Sequence, residues 1–305
     1  MKIIDWLLIQ DPVIVRLTNK YLKDIDVPYH EEGYIKSYLS LFDLHENMWG
    51  HGIYSPKWIS THYTLFELLY MEMNPHHPIY KKALSHILDV MWKKDGYVNK
   101  YRHQDVCVVG MMLNMLAYMD IDHPIVEEML DYILSHTFID GGWNCSWEAK
   151  KPKQSSLHTT LSVLEALCML KQKDYQKRDL STYIESGVKF IFKKQFFRRE
   201  TTHEIIHEDM ATYHYPYRWK YDYLRALECL VSIKYPYHQS MDESLDLLRQ
   251  EIKKGYLKPG YRYPGKTHFT LEKGTSGFNT LRALKVLKFY DSSYYEHIIN
   301  QDFDY

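Results

Sequence analysis

Apolar residues fall along this chain in two alternating patterns, and each predicts a helix. In the first, one apolar stripe runs through a polar segment. Across residues 79–92, Ala83, Leu84, Ile87, Leu88 and Met91 recur at helical spacing, with Lys81, Lys82, Ser85 and Asp89 between them. Asp95-Gly96 stops that run. In the second pattern, apolar side chains go almost all the way round, as across residues 105–119, which predicts a helix covered on every side. The two patterns then repeat. Residues 124–138 carry a stripe of Ile125, Met129, Ile133 and Leu134. The turn Asp140-Gly141-Gly142-Trp143 follows, and then an apolar partner over 155–170. Residues 181–196, through Ile184, Val188, Ile191 and Phe192, precede an apolar 219–233, and 240–254 precede 276–290. Nearer the start, 31–44 precede 58–71, with 11–22 as an additional helix.

The apolar partners echo each other in letters: Leu164-Glu165-Ala166-Leu167, Leu224-Arg225-Ala226-Leu227 and Leu281-Arg282-Ala283-Leu284, at offsets of 60 and 57 residues. Such offsets suit helix-pair repeats, which cannot bury their apolar faces alone and must stack. Because the second helix of each pair is apolar on both sides, the stack is expected to close. The expectation is an all-α chain, an α/α toroid of five to six helical hairpins, with residues 1–305 as one domain. Two connections are long, 197–218 and 255–275, and loops of that length are uncommon unless functional. Both enter inner helices at their N-termini, on the rim that also carries the Gly-Trp turns.

Composition changes this picture in three ways. There are 28 Tyr and 7 Trp, rings that fill helix interfaces or line a cavity for apolar or cationic ligands. A formal net charge of −1, without a dense Lys/Arg run, gives no footing for nucleic acid. No apolar run nears the roughly 18 residues of a membrane span, and residues 1–8 are too short and too charged for a signal peptide, so the expected location is cytoplasmic. Four cysteines, Cys107, Cys145, Cys168 and Cys229, then point to metal binding, catalysis or burial before disulfides. Cys168 and Cys229 sit inside apolar faces and read as core thiols.

Candidate chemistry collects where three successive inner helices begin. The first opens with Thr61-His62-Tyr63-Thr64, the second with Asp105-Val106-Cys107, the third with Ser156-Leu157-His158-Thr159. Cys107 and His158 are 51 residues apart, about one repeat, which makes them neighbours in a closed ring. Asp105, Cys107 and His158 form a mixed O/S/N set that suits zinc with a fourth position open, and Cys145 is an alternative or extra ligand. Arg218, Trp219, Tyr221 and Asp222 open the fourth inner helix. Aligned on Ala166 and Ala226, Arg218 takes the place of His158, there to bind an anionic headgroup or to pair with Asp222 one turn on. His203-Glu204-Ile205-Ile206-His207 matches the metalloprotease pattern His-Glu-x-x-His, but within a loop rather than on an apolar helix.

These motifs resemble the β-subunit of protein farnesyl- and geranylgeranyltransferases, in the wider superfamily of squalene-cyclase-like toroids. Asp105-Val106-Cys107 is similar to that family's Asp-x-Cys pair, and Leu157-His158-Thr159-Thr160 to its Tyr-His-Thr-Cys run. The resemblance implies zinc on Asp105, Cys107 and His158, activating the thiol of a peptide or protein acceptor. It implies an isoprenoid or other apolar small molecule as the second partner. His62-Tyr63-Thr64 resembles a run used for the prenyl diphosphate, and Lys100 and Arg102 lie where the family's basic residues hold that group; Arg218 and Tyr221 complete the expected substrate contacts. The toroid resemblance covers nearly the whole chain, the motifs about residues 60 to 160. The sequence departs at Val108, where the family has Tyr, and lacks the Asp-x-Asp-Asp acid of squalene-hopene cyclases. Two rival readings are a non-catalytic toroid that binds an isoprenoid or a partner protein, and zinc-dependent thiol chemistry on peptides. The latter resembles lanthipeptide cyclases, although their Cys-His-Gly signature is missing.

Overall fold

A computed structural model describes residues 1–94, 97–99, 102–145, 152–216, 218–260 and 263–305, with the backbone alone for 97–99, 102 and 103. The chain is all-α. Among the described residues the α-helices are α1 (Ile3–Leu7), α2 (Pro12–Leu22), α3 (Gly33–Leu39), α4 (Thr61–Tyr70), α5 (Pro78–Met91), α6 (Val106–Met119), α7 (Pro124–Ser135), α8 (Leu157–Gln172), α9 (Ser181–Lys193), α10 (Tyr223–Ser232), α11 (Asp242–Ile252), α12 (Gly277–Tyr290) and α13 (Ser292–Ile299). A short antiparallel ribbon, β1 (Tyr97–Asn99) with β2 (Arg102–His103), lies between α5 and α6. Helices α2 to α12 answer to the segments predicted from periodicity. Helices α1 and α13 lie outside the predicted segments.

The fold divides into two compact units: residues 42–194 with 218–221, and residues 1–41, 195–217 and 222–305. In the first, α4, α6 and α8 form the apolar interior. Helix α6 packs on α4, α5, α7 and α8, and α9 packs on α8. Its run from Val108 to Ala117 is buried, as the all-round apolar pattern requires. Helix α5 buries Tyr80, Ala83, Leu84, Ile87 and Leu88, its predicted stripe apart from Met91. Each such side chain stabilises the fold by about 1.5–3 kcal/mol relative to exposure. Helices α5 and α7 start in the same way. His77 and His123 precede Pro78 and Pro124, and each imidazole Nδ1 accepts the N–H two residues on, from Ile79 at 3.2 Å and Ile125 at 3.3 Å. Proline at the first helical position needs no N–H partner there, which sharpens the start.

The Gly-Trp turn is a wedge. Gly141 has φ +95°, which its lack of a Cβ allows. The next-but-one residue, Trp143, is fully buried and donates Nε1–H to the Ile133 carbonyl at 2.9 Å. Its backbone N–H donates to Thr160 Oγ1 at 3.0 Å, tying the turn to α8. Trp49, also fully buried, repeats the device with Thr61 Oγ1 at 3.0 Å, tying its own turn to α4.

In the other unit α12 packs against α2, α10, α11 and α13. A buried polar network holds it to its neighbours. Asp222 caps α10 by accepting the Arg225 N–H at 2.7 Å, and His214 Nδ1 lies 3.3 Å from the same carboxylate. Burial works to raise this acid, but His214 and Arg282 hold it below the usual carboxylate range. Arg282 donates to Glu228 at 2.5 Å and to Asn279 Oδ1 and the His214 carbonyl at 2.8 Å each. The cap at Asp222 makes α10 start at Tyr223, later than the predicted 219. The echoed Leu-x-Ala-Leu letters therefore do not share a register: Leu164 is the eighth residue of α8, Leu224 the second of α10 and Leu281 the fifth of α12. The His-Glu-x-x-His run is not helical. Ile205 bridges Arg198, and His207 caps a short 3-10 turn through the Asp209 N–H at 3.2 Å, so the two histidines do not share a helix face.

Candidate functional site

His62, Cys107 and His158 are each the second residue of their helix, α4, α6 and α8. This shared position does not give them shared surroundings. The centre of the site is a contact between Cys107 and Cys145. A helix start leaves backbone N–H groups without intrahelical partners. Asp105, the residue before α6, makes no side-chain cap to them. Cys145 does so instead: its Sγ accepts the Cys107 N–H at 2.9 Å. The Cys145 backbone N–H in turn donates to Thr159 Oγ1 at 3.2 Å, fixing the loop to the first turn of α8.

The two thiols act on each other and shift in opposite directions. Donation from the Cys107 thiol, followed by the Thr159 hydroxyl and the Cys107 N–H, holds Cys145 below the ordinary cysteine value against its own burial. The same bond, then burial and the nearby Asp105 carboxylate, push Cys107 well above it. Positive helix-terminal dipoles favour a thiolate at this place. Both residues are half-buried and keep part of their surface in solvent.

Rings and amines crowd the same unit. The Lys57 ammonium lies 5.4 Å from the ring centres of Tyr54 and Trp58, 5.7 Å from Trp219 and 5.9 Å from Tyr63. Desolvation lowers its pKa, partly offset by Cys107 and Asp105. Tyr63 and Tyr54 share a hydroxyl hydrogen bond of 3.0 Å, and burial pushes Tyr54 up to about 12. His62 is fully buried, edge-on to Tyr54 and Tyr63 and stacked on Phe66. Neither of its ring nitrogens has a hydrogen-bond partner among the described residues, and burial pushes it down to about 3. His158 stands edge-on to Trp219, with ring centres 5.2 Å apart, and its Nδ1 accepts the Tyr221 N–H at 2.8 Å. Arg218 is buried, ion-paired with Glu67 of α4, with its guanidinium 5.5 Å from the Trp58 ring. Its charge is thus matched inside this unit. Lys100 and the side chain of Arg102 lie outside the described residues.

A zinc ion needs donors in a tetrahedral array, sulfur at about 2.3 Å and nitrogen at about 2.0–2.1 Å. The Cys107–Cys145 contact suits two of those positions. His158 does not supply a third. With Nδ1 accepting an N–H, the neutral ring carries its proton on Nε2, so neither nitrogen presents a lone pair to a metal. Asp105 acts on both thiols electrostatically. Yet no three His, Cys, Asp or Glu side chains among the described residues gather closely enough to hold an ion. As placed, the donors do not fit a three-ligand zinc set.

Sequence reasoning overlooked Lys57, Tyr54, Trp58 and Thr159 as parts of this site. The signal for the first three was present, as an aromatic and basic run, Tyr54 to Trp58, just before α4. No family model and no curated protein matches the chain.

Proposed function

We propose that this chain is a toroidal, prenyltransferase-like enzyme that joins an isoprenoid to a thiol. The observation that carries the reading is the hydrogen-bonded Cys107–Cys145 pair in the same compact unit as Lys57 and its four rings. In this reading the Cys145 thiolate takes the proton of an acceptor thiol. The acceptor sulfur then attacks C1 of an allylic diphosphate as the C1–O bond breaks, and the diphosphate departs with the bonding pair. Ring faces stabilise the positive charge that develops on the allyl group. Lys57, and Lys220 beside Trp219, supply positive charge for the leaving group. Zinc is what the resemblance would add. No step is drawn through it, because the donors do not fit.

The test is thioether formation from allylic diphosphates of ten to twenty carbons and a panel of thiol peptides, followed by mass spectrometry. The expected outcome is a prenylated peptide plus diphosphate, with at least a hundredfold loss of turnover in Cys145→Ser. Absence of thioether with every diphosphate and thiol pair refutes the reading. One equivalent of zinc in protein purified without added metal refutes its metal-free form.

A further inference from the structure

We propose that Cys107 and Cys145 form a thiol–disulfide exchange site whose substrates are small disulfides of the glutathione type. This goes beyond the transfer reaction above and does not depend on it.

The geometry is that of a disulfide waiting to close. Cys145 Sγ lies 2.9 Å from the Cys107 backbone nitrogen. With an N–Cα bond of about 1.46 Å, that sulfur is within about 4.4 Å of the Cys107 α-carbon. The Cys107 N–H donates to that sulfur, which holds it beside the Cys107 residue. A bridge needs α-carbons about 4.4–6.8 Å apart and side chains that point toward each other. Cys145 Sγ lies against the Cys107 backbone, within reach of the Cys107 side chain. The partners come from distant places, 38 residues apart, and meet at the start of α6. Cys107 belongs to α6. Cys145 is pinned to Thr159 of α8 by its own N–H. The remaining two cysteines have a different setting. Cys168 is 1% exposed and Cys229 6% exposed, inside apolar helix faces, whereas both members of the pair keep solvent contact. The pair is therefore the more exposed of the two sets of thiols.

The reaction balances as follows. The Cys145 thiolate attacks one sulfur of RSSR, forming the mixed disulfide Cys145–S–S–R and releasing RS⁻. The released thiolate takes the Cys107 proton and becomes RSH. The Cys107 thiolate then attacks the Cys145 sulfur and expels the second RS⁻. Two protein thiols lose two electrons in total, and RSSR gains them. Lys57 interacts electrostatically with Cys107 and Asp105, and the Asp105 carboxylate acts on both thiols. Closing the bridge removes the thiolate that the transfer reaction uses, so an oxidised chain would be inactive in it.

The experiment uses the full chain with no isoprenoid present. It is equilibrated across glutathione redox buffers, quenched with N-ethylmaleimide and mapped by non-reducing peptide mass spectrometry. The expected result is loss of two of the four thiols, with one internal linkage between the peptides holding residues 107 and 145. Cys107→Ser should instead stop at a glutathione adduct on Cys145. Four free thiols in the most oxidising buffer overturn the proposal. So does a stable glutathione adduct in the unsubstituted chain with no internal linkage, or zinc that remains bound and protects both thiols. The unsubstituted chain alone decides the matter if a variant fails to fold. Failure of thioether formation leaves this result untouched.

Discussion

Gly110→Ala sets two effects in α6 against each other, and the structure says which wins. Alanine favours a helix interior over glycine by about 1 kcal/mol, so propensity alone predicts a more stable protein. Packing predicts the opposite. A Cβ at this position would lie 2.9 Å from the Ser162 carbonyl oxygen, 3.1 Å from its carbon and 3.2 Å from the Val163 nitrogen. These are backbone atoms of α8, which cannot rotate aside. Restoring an ordinary contact near 3.5 Å requires α6 to retreat by about 0.5 Å. Helix α6 is buried along nearly its whole length, so a retreat disturbs its contacts with α4, α5 and α7 as well. Overpacking of this kind costs about 1–3 kcal/mol, and subtracting the propensity gain leaves a net loss of up to about 2 kcal/mol. Urea unfolding followed by far-ultraviolet circular dichroism measures it as a lower midpoint at an unchanged slope. A matching fall in Tm of about 2–4 °C per kcal/mol is expected. An alanine variant as stable as the parent, or more so, would show that α6 and α8 are not held at backbone contact.

Two further substitutions test the buried titrating groups. His62 sits at about 3 in the folded chain against an ordinary 6.5, so below pH 6.5 the unfolded chain binds a proton that the folded chain refuses. Relative to His62→Phe, the parent should therefore lose about 1.4 kcal/mol per pH unit from pH 6.5 down toward 3. A constant difference in chemical-denaturation free energy over that range would refute the assignment. Glu272 has the opposite sign: burial raises it from 4.5 to about 7, while Ser276 and the Phe278 N–H bond its carboxyl group. The folded chain keeps a proton that the unfolded chain releases, so stability present below pH 4.5 should be lost as pH rises to 7. Glu272→Gln should remove that loss, and denaturation curves at pH 4.5 and 8 that shift equally in parent and variant would contradict it.

How far the sequence could be read follows from what periodicity measures. A stripe reports which face of a helix is covered, so α5 appeared with its stripe, and α6 and α8 appeared as buried all round. Helix α1 contains too few residues to show a period, the ribbon before α6 contains fewer still, and α13 lies outside the predicted segments. Starts depended on caps that letters disguise. Histidine before proline caps α5 and α7, and Asp222 moves the start of α10 four residues beyond the expected one. That shift took Arg218 off a helix and left it in the segment that also holds Tyr221, where Glu67 meets its charge. Four repeated letters suggested a common register that the caps do not respect.

The candidate site shows a subtler limit. His62, Cys107 and His158 do hold the same position in three helices, α4, α6 and α8, the second residue of each. Equal position along an axis still leaves the rotation about that axis free, and neighbouring side chains on a helix point about 100° apart. Rotation decides what each meets. His62 turns into the core against Phe66, and His158 turns to the Tyr221 N–H and the Trp219 ring. Cys107 turns to a sulfur from the loop before α8. A spacing of one repeat therefore gave these residues equal places in their helices without aiming them at one point. The partner that Cys107 acquired, Cys145, lies outside any helix, where no period operates. Its place is fixed by two hydrogen bonds, one from the start of α6 and one to Thr159, and both belong to tertiary structure.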